Sequence, residues 1–199
     1  MDFSKHKIER MFRFGYRLAF KQTPKKKDWD DIFSLWYCSA TCGHKRSQFY
    51  LGTCYDNGLG VDKDIREAYK WYLKAAKQGH MESQFNVGYF YHRGELVRQD
   101  YKKAVQWFTS AAIQGDTEAQ RDLGYCYFYG NGVKEDYKKA VYWFRKAAAK
   151  NDPKALYNLG LCYKKGNGVT KSNRWAKHYF EKAKELGHKE SIKQLKALS

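Results

Sequence analysis

Five cysteines are the first residues in this sequence that could do chemistry. Cys38 and Cys42 are four positions apart, so on a helix they would share a face and could hold a metal ion or sense oxidation. No histidine or further cysteine stands at zinc-finger spacing, so we expect no metal site. An odd number of cysteines, at spacings that fit no disulfide framework, indicates reduced thiols and a cytoplasmic protein.

The other candidate residues recur along the chain and do not converge on one place. Three cysteines share one repeated position, each next to a tyrosine that we expect to be buried. We therefore predict that they are small core residues: Cys54, Cys126 and Cys162. Three histidines each follow a glycine, which indicates turn residues: His44, His80 and His188. A catalytic site needs a cluster of different groups, so we predict no catalytic residue, no cofactor and no small-molecule substrate.

Three Gly-x-Gly turns resemble phosphate-binding loops at first sight. They are Gly58 with Gly60, Gly130 with Gly132, and Gly166 with Gly168. No strand precedes them, and the remaining residues of a dinucleotide or nucleotide triphosphate motif are missing. We therefore interpret them as ordinary loops.

The elements that position these residues follow a strict 36-residue period. The string Leu51, Gly52, Tyr55 returns three times without an insertion, as Val87, Gly88, Tyr91, then Leu123, Gly124, Tyr127, then Leu159, Gly160, Tyr163. A second string, with alanine, an aromatic pair and alanine, starts at Ala68, Ala104, Ala140 and Ala176. A sustained period of this length is typical of helical solenoids.

Each repeat reads as two helices joined by a glycine-rich turn. Apolar positions recur at helical spacing in both halves. Aspartates after the turn are placed to cap the second helix, and the residues that end it tolerate a left-handed conformation: Gly79, Gly115, Asn151 and Gly187. A mid-helix glycine implies close helix approach. We expect it to lie under the ring at position 71, 107, 143 or 179.

The pattern A-x-x-x-L-G-x-x-Y-x-x-G-x-G-V, followed by D-x-x-K-A-x-x-W-F-x-K-A-A, resembles the Sel-one-like repeat, a relative of the tetratricopeptide repeat. The resemblance implies an all-α, right-handed α-α superhelix, a solenoid of 36-residue helix-turn-helix units. We predict a degenerate capping repeat over 1–46 and a C-terminal capping helix over 191–199. Four repeats lie between them, at 47–82, 83–118, 119–154 and 155–190.

The resemblance also implies that partners dock on the concave side, which the first helices line. Positions opposite the predicted core of these helices carry aromatic and amide side chains suited to binding. The alternative is that the tyrosines only pack between neighbouring first helices. We call this set the first-helix stripe: Tyr50, Asn57, Asn86, Tyr89, Arg93, Asp122, Tyr125, Tyr129, Asn158, Leu161 and Lys165.

A net charge of +17 favours acidic partners but does not specify a fold. Lysines cluster in the altered loop at Lys25, Lys26 and Lys27, and again between Lys134 and Lys177. We predict a protein-interaction module: an adaptor, a scaffold or an inhibitor. Two alternatives stay open, an immunity or antitoxin-like inhibitor of a toxin, and a nucleic-acid or other polyanion binder.

No apolar run is long enough to span a membrane, and the N-terminus lacks a secretory pattern.

Overall fold

The computed structural model describes residues 4–21, 25 and 28–198, and this part of the chain contains eleven α-helices and no strand. The helices form two compact units, Met1–Arg98 and Gln99–Ser199, and each is described by itself. Helices in both units alternate as the first and second members of helix-turn-helix repeats. The all-α repeat fold predicted from the sequence is confirmed.

The first unit contains five helices: α1 (Lys5–Lys21), α2 (Asp28–Thr41), α3 (Lys45–Asn57), α4 (Ile65–Lys77) and α5 (Met81–Arg93). Each helix packs against the next. Phe12, Ile32, Trp36 and Cys54 lie together in its core. Leu51 of α3 is buried between Ala40 of the preceding helix and Trp71 of the following one.

The second unit contains six helices: α6 (Tyr101–Gln114), α7 (Thr117–Tyr129), α8 (Tyr137–Ala148), α9 (Pro153–Lys165), α10 (Asn173–Glu185) and α11 (Glu190–Lys196). Phe144 packs here with Leu159 and Cys162. The short α11 lies on α10 and closes this end of the described chain. None of the helices among the described residues is both long and apolar enough to cross a membrane.

The predicted helix ends are confirmed. Asp64, Asp100 and Asp136 each accept hydrogen bonds from backbone N–H groups in the first turn of a second helix. These carboxylates satisfy donors that the helix cannot satisfy itself. At the other end, Asn151 adopts φ 60° and is the one non-glycine residue with positive φ in the described part of the chain.

The predicted ring over the mid-helix glycine is wrong by one position. A Cβ added to Gly52 would lie 2.7 Å from the Tyr72 ring, and one added to Gly124 would lie 2.6 Å from the Phe144 ring. Phe180 takes the same place over Gly160, and Trp36 takes it over Gly15. Over Gly52, Gly124 and Gly160, the ring that covers the glycine is therefore the second of each aromatic pair.

The correction also changes which ring of the α6 pair belongs to the core. Phe108 is buried, whereas the preceding Trp107 is half-buried. Phe108→Ala should therefore destabilise the chain more than Trp107→Ala, because loss of a fully buried ring removes more contacts.

Candidate partner-binding surface

The last residue of each first helix is the most exposed part of the first-helix stripe. This repeat position precedes a glycine that ends the helix in a left-handed conformation, at Gly58, Gly94, Gly130 and Gly166. All four residues at the position are exposed and all differ: Asn57, Arg93, Tyr129 and Lys165. The glycine turn thus presents one variable side chain to solvent from each repeat.

In the first unit, Tyr50 is a packing residue and not an open binding residue. Its ring stacks on Trp36, with 4.8 Å between centroids, and Tyr16 of α1 lies 5.7 Å away. Burial raises the pKa of Tyr50 to about 12. At this position the prediction of a solvent-facing stripe is wrong, since α1 covers it.

The remaining stripe residues of the first unit are more open. Tyr89 is 43% exposed and lies beside Phe85 on the same helix. Arg93 donates two hydrogen bonds to Glu95, at 2.9 and 2.7 Å. Asn57 donates to the carbonyl of Thr53 in its own helix, and Asn86 is half-buried.

In the second unit, a pair of stacked tyrosines forms the centre of the stripe. The rings of Tyr125 and Tyr129 are 6.3 Å apart and nearly parallel. Tyr125 meets the core ring of Phe144 edge to face at 5.5 Å, and burial raises its pKa. Tyr129 is 63% exposed. The inner tyrosine therefore supports the outer one, which faces solvent.

Asn158 does not face solvent as predicted. Its side chain is buried and lies within hydrogen-bonding reach of the Tyr125 hydroxyl. Asp122 is half-buried and accepts a hydrogen bond from Arg121 Nε at 2.8 Å. Leu161 is half-buried and Lys165 is exposed. The stripe residues in the middle of α7 and α9 are thus buried or half-buried, whereas those at the helix ends are exposed.

Sequence reasoning missed a set of contacts between successive first helices, which we call first-helix junctions. In the first unit, the Phe49 ring stacks on His80, the N-cap of α5, at 4.6 Å. In the second unit, Tyr157 stacks on His188 at 4.4 Å. Arg121 holds the equivalent position in α7 and contacts Asp152, the N-cap of α9, at 3.1 Å. The signal in the sequence is Arg121 itself, since the equivalent positions of the other repeats carry Phe49, Phe85 and Tyr157.

The two kinds of junction differ in the direction in which the pKa of their basic residue is shifted. Burial alone would lower the pKa of Arg121, but the carboxylates of Asp122, Asp152 and Glu118 outweigh it and raise that pKa. Burial lowers the pKa of His80, although Glu82 acts in the other direction. The arginine junction is thus charged, whereas the histidine junction favours a neutral ring.

The chemical candidates of the sequence occupy structural positions. His44 is the N-cap of α3, where its Nδ1 accepts a hydrogen bond from the backbone N–H of Ser47. Cys54, Cys126 and Cys162 are buried, and Cys38 and Cys42 are exposed and free. Over the described residues, no group of three or more His, Cys, Asp or Glu side chains is placed to hold a metal ion.

The basic residues are spread over the first helices, the second helices and the turns. Lys138 and Lys139 are exposed, and Lys139 lies near Asp136 at 3.7 Å. Lys164 donates a hydrogen bond to Gln194 of α11 at 2.9 Å. Lys25 is exposed, whereas Lys26 and Lys27 lie outside the described residues.

Comparison with solved structures places this architecture among known proteins. A Sel1 repeat protein from Oxalobacter formigenes is 32% identical with a TM-score of 0.84, over 94% of this chain and 74% of that one. A protective antigen from uropathogenic Escherichia coli, which displays an SLR fold, is 32% identical with a TM-score of 0.86. The match covers 94% of this chain and 40% of that one. An immunity protein from Pseudomonas aeruginosa is 21% identical with a TM-score of 0.54, over 96% of this chain and 70% of that one. That last likeness shows the fold alone.

A curated relative and a family model give the remaining comparisons. DAP3-binding cell death enhancer 1 from Rattus norvegicus is 34% identical over 58 residues, which is 29% of this chain. The matched stretch covers only 11% of that relative. The family model described as the Sel1 repeat matches residues 45–80, 82–116, 117–152 and 153–188. These matches take in well over half of the chain, which therefore belongs to the Sel1 repeat family.

Proposed function

We propose that this chain is a protein-interaction module, an adaptor, scaffold or inhibitor in the cytoplasm, that holds an acidic partner protein on its first-helix stripe. The exposed residue before each turn glycine supports the proposal. The buried positions of the same helices repeat, with leucine or valine followed by glycine, while this exposed position changes from Asn to Arg to Tyr to Lys. A constant scaffold with a variable exposed position is suited to selecting one partner.

The single observation that carries the proposal is the exposure of Tyr129. The ring is 63% exposed and is held in place by its stack on Tyr125, so little side-chain freedom remains to be lost on binding. Tyrosine presented in this way is a frequent binding hot spot. Tyr89 and Arg93 give the first unit a smaller version of the same surface.

Two names among the relatives are consistent with a protein partner. One relative is named for binding DAP3, and one protein of the same fold is an immunity protein. An immunity or antitoxin-like inhibitor is accordingly one form of this proposal. Because the immunity protein shares only the fold with this chain, the identity of a target is left to experiment.

The second candidate function is binding of nucleic acid or another polyanion, favoured by the net charge of +17. Contacts with phosphates release counterions, so such binding weakens steeply as salt rises. A hydrophobic contact through Tyr129 depends far less on salt. Salt dependence together with nuclease treatment therefore separates the two candidates.

Affinity capture with the whole chain as bait tests the proposal. Lysate is passed over the chain at two salt concentrations, with and without nuclease. We expect one protein retained at high salt after nuclease treatment, and lost with the double variant Tyr89→Ser, Tyr129→Ser. Tyr142→Ser is the matched control, because Tyr142 is 52% exposed but lies on a second helix. Retention of nucleic acid alone, lost at high salt, contradicts the proposal.

A further inference from the structure

Phe14 occupies a repeat position that is buried in the internal repeats of the same unit. Trp36 covers Gly15 just as Tyr72 covers Gly52, so the preceding residues, Phe14 and Leu51, are equivalent. Leu51 is 0% exposed, whereas Phe14 is 51% exposed. The first helix of the capping repeat thus presents to solvent the side chain that its neighbour buries.

The environment of Leu51 shows what kind of element fits over Phe14. Ala40 of α2, the preceding second helix, packs on Leu51 together with Trp71. In α1 and α2 the corresponding surface is a cleft of about 710 Å³ with an adjoining cleft of about 490 Å³. Their apolar lining, which we call the cap groove, is Met11, Phe14, Leu18 and Leu35. A helix seated in it would repeat the packing of α2 on α3.

The charges beside the cap groove are positive along its α1 edge. Arg10 and Arg17 line the larger cleft and make no ion pair with any residue that the structure describes. The one acidic residue of α1, Glu9, is engaged by Arg13 and His44. Asp31 lines the smaller cleft on the α2 edge. The α1 edge therefore complements carboxylates.

We propose that the cap groove docks an amphipathic helix of another protein, with an apolar stripe over Phe14 and carboxylates facing Arg10 and Arg17. A second copy of this chain is disfavoured, because two molecules of charge +17 repel each other. The cap groove shares no residue with the first-helix stripe. It is thus a second interaction surface, beyond the proposed function.

The chain itself supplies a probe helix of this chemistry. Residues 28–41, the α2 sequence, contain three aspartates and no basic residue. A synthetic peptide of this sequence, with serine replacing its cysteine, is held helical by a side-chain crosslink, since isolated helices of this length are marginal. Binding is read from alkylation of the chain's own thiols. Cys38 lines the smaller of the two clefts beside the cap groove, whereas exposed Cys42 lines neither cleft.

We expect saturating peptide to slow alkylation of Cys38 about tenfold and to leave Cys42 unchanged. Phe14→Ala, and the charge reversal Arg10→Glu, should each weaken peptide binding about tenfold. Phe20→Ala and Lys5→Glu are matched controls, because both residues are exposed on α1 outside the groove lining. Unchanged helix content by circular dichroism shows that each variant is folded.

Three outcomes overturn the proposal. The first is full reactivity of Cys38 at millimolar peptide, and the second is equal binding of a peptide with asparagine in place of its aspartates. The third is flotation of the chain with phosphatidylglycerol vesicles in a Phe14-dependent way while the peptide fails to bind, which would assign the groove to a lipid surface. Peptide binding that survives Tyr89→Ser, Tyr129→Ser separates this result from the test of the proposed function.

Discussion

The first-helix junctions at Phe49 and at Arg121 join equivalent parts of two repeats by different chemistry. Phe49 stacks on the imidazole of His80, which is the N-cap of the next first helix. Arg121 instead bonds Asp152, an N-cap whose carboxylate also accepts from the backbone N–H of Ala155. The same geometry is thus satisfied by an aromatic pair in one unit and by an ion pair in the other.

The difference teaches that the junction depends on both partners and not on either residue type. An arginine with 11% of its side chain exposed needs carboxylates, and Asp152 and Asp122 supply them. Burial of the His80 imidazole outweighs the nearby carboxylate of Glu82 and favours the neutral form. Substitutions that remove one partner should therefore lower the free energy of unfolding to different extents at the two junctions.

Among the junction variants, the largest effect is expected for Arg121→Ala. The substitution leaves Asp152 and Asp122 partly buried without their cation, and should lower the free energy of unfolding by about 3 kcal/mol. Urea unfolding followed by circular dichroism measures it. Arg174→Ala, at an exposed site on α10, is the control. Equal, small losses for both arginines would show that the network contributes little.

A smaller loss is expected at the aromatic junction. Phe49 is half-buried, so Phe49→Ala should lower the free energy of unfolding by about 2 kcal/mol, less than a fully buried ring would. The same urea experiment applies. Ile113→Ala serves as a reference for loss of apolar surface, since Ile113 is 73% exposed. A loss at Phe49 above that at Arg121 would reverse the ranking of the two junctions.

Exchange of one junction for the other sharpens the comparison. The double variant Arg121→Phe, Asp152→His builds the aromatic pair in the second unit, and should stay within about 1 kcal/mol of the natural chain. Asp152→His alone would place an imidazole against Arg121, and this single variant should be less stable than the double variant. Thermal unfolding of both variants measures the coupling between positions 121 and 152. A double variant no more stable than Asp152→His alone would refute that coupling.

The smallest effect concerns acid. Burial depresses the pKa of His80 below its ordinary value near 6.5, so the unfolded chain binds more protons as the pH falls through this range. The junction's stability is therefore complete above about pH 6.5 and declines below it. Urea midpoints at pH 7.5 and 5.5 should differ less in His80→Asn than in the natural chain, with His178→Asn as control.

The repeat period and the capping residues were enough to predict the helices. Asp64 is of a residue type that favours the N-cap, and Asn151 is of a type that tolerates the left-handed conformation after a helix. Their positions therefore indicate where a helix begins and ends. The buried ring was harder, because Trp143 and Phe144 are adjacent aromatics on a helix and either could face the glycine. Packing of the neighbouring helix, which the pattern does not contain, selects Phe144.

The candidate surface could be predicted only in part for the same reason. Spacing placed Tyr129 and Asn158 on one stripe, but exposure depends on whether a neighbouring helix covers the position. Tyr129 at the end of a helix is open, whereas Asn158 in the middle of the next first helix is covered. Arg121 escaped notice because a single departure from a repeat looks like variation until its partner Asp152 is found beside it.

The junction chemistry also bears on how such a chain can grow. The repeat 117–152 carries Arg121, which meets Asp152, the last residue of the same repeat and the N-cap of α9. A tandem duplication of this segment would keep each arginine beside the aspartate that ends its own copy and caps the first helix of the next copy. The array could then lengthen by a whole repeat with its junction already matched, so that gene duplication would need no compensating mutation there.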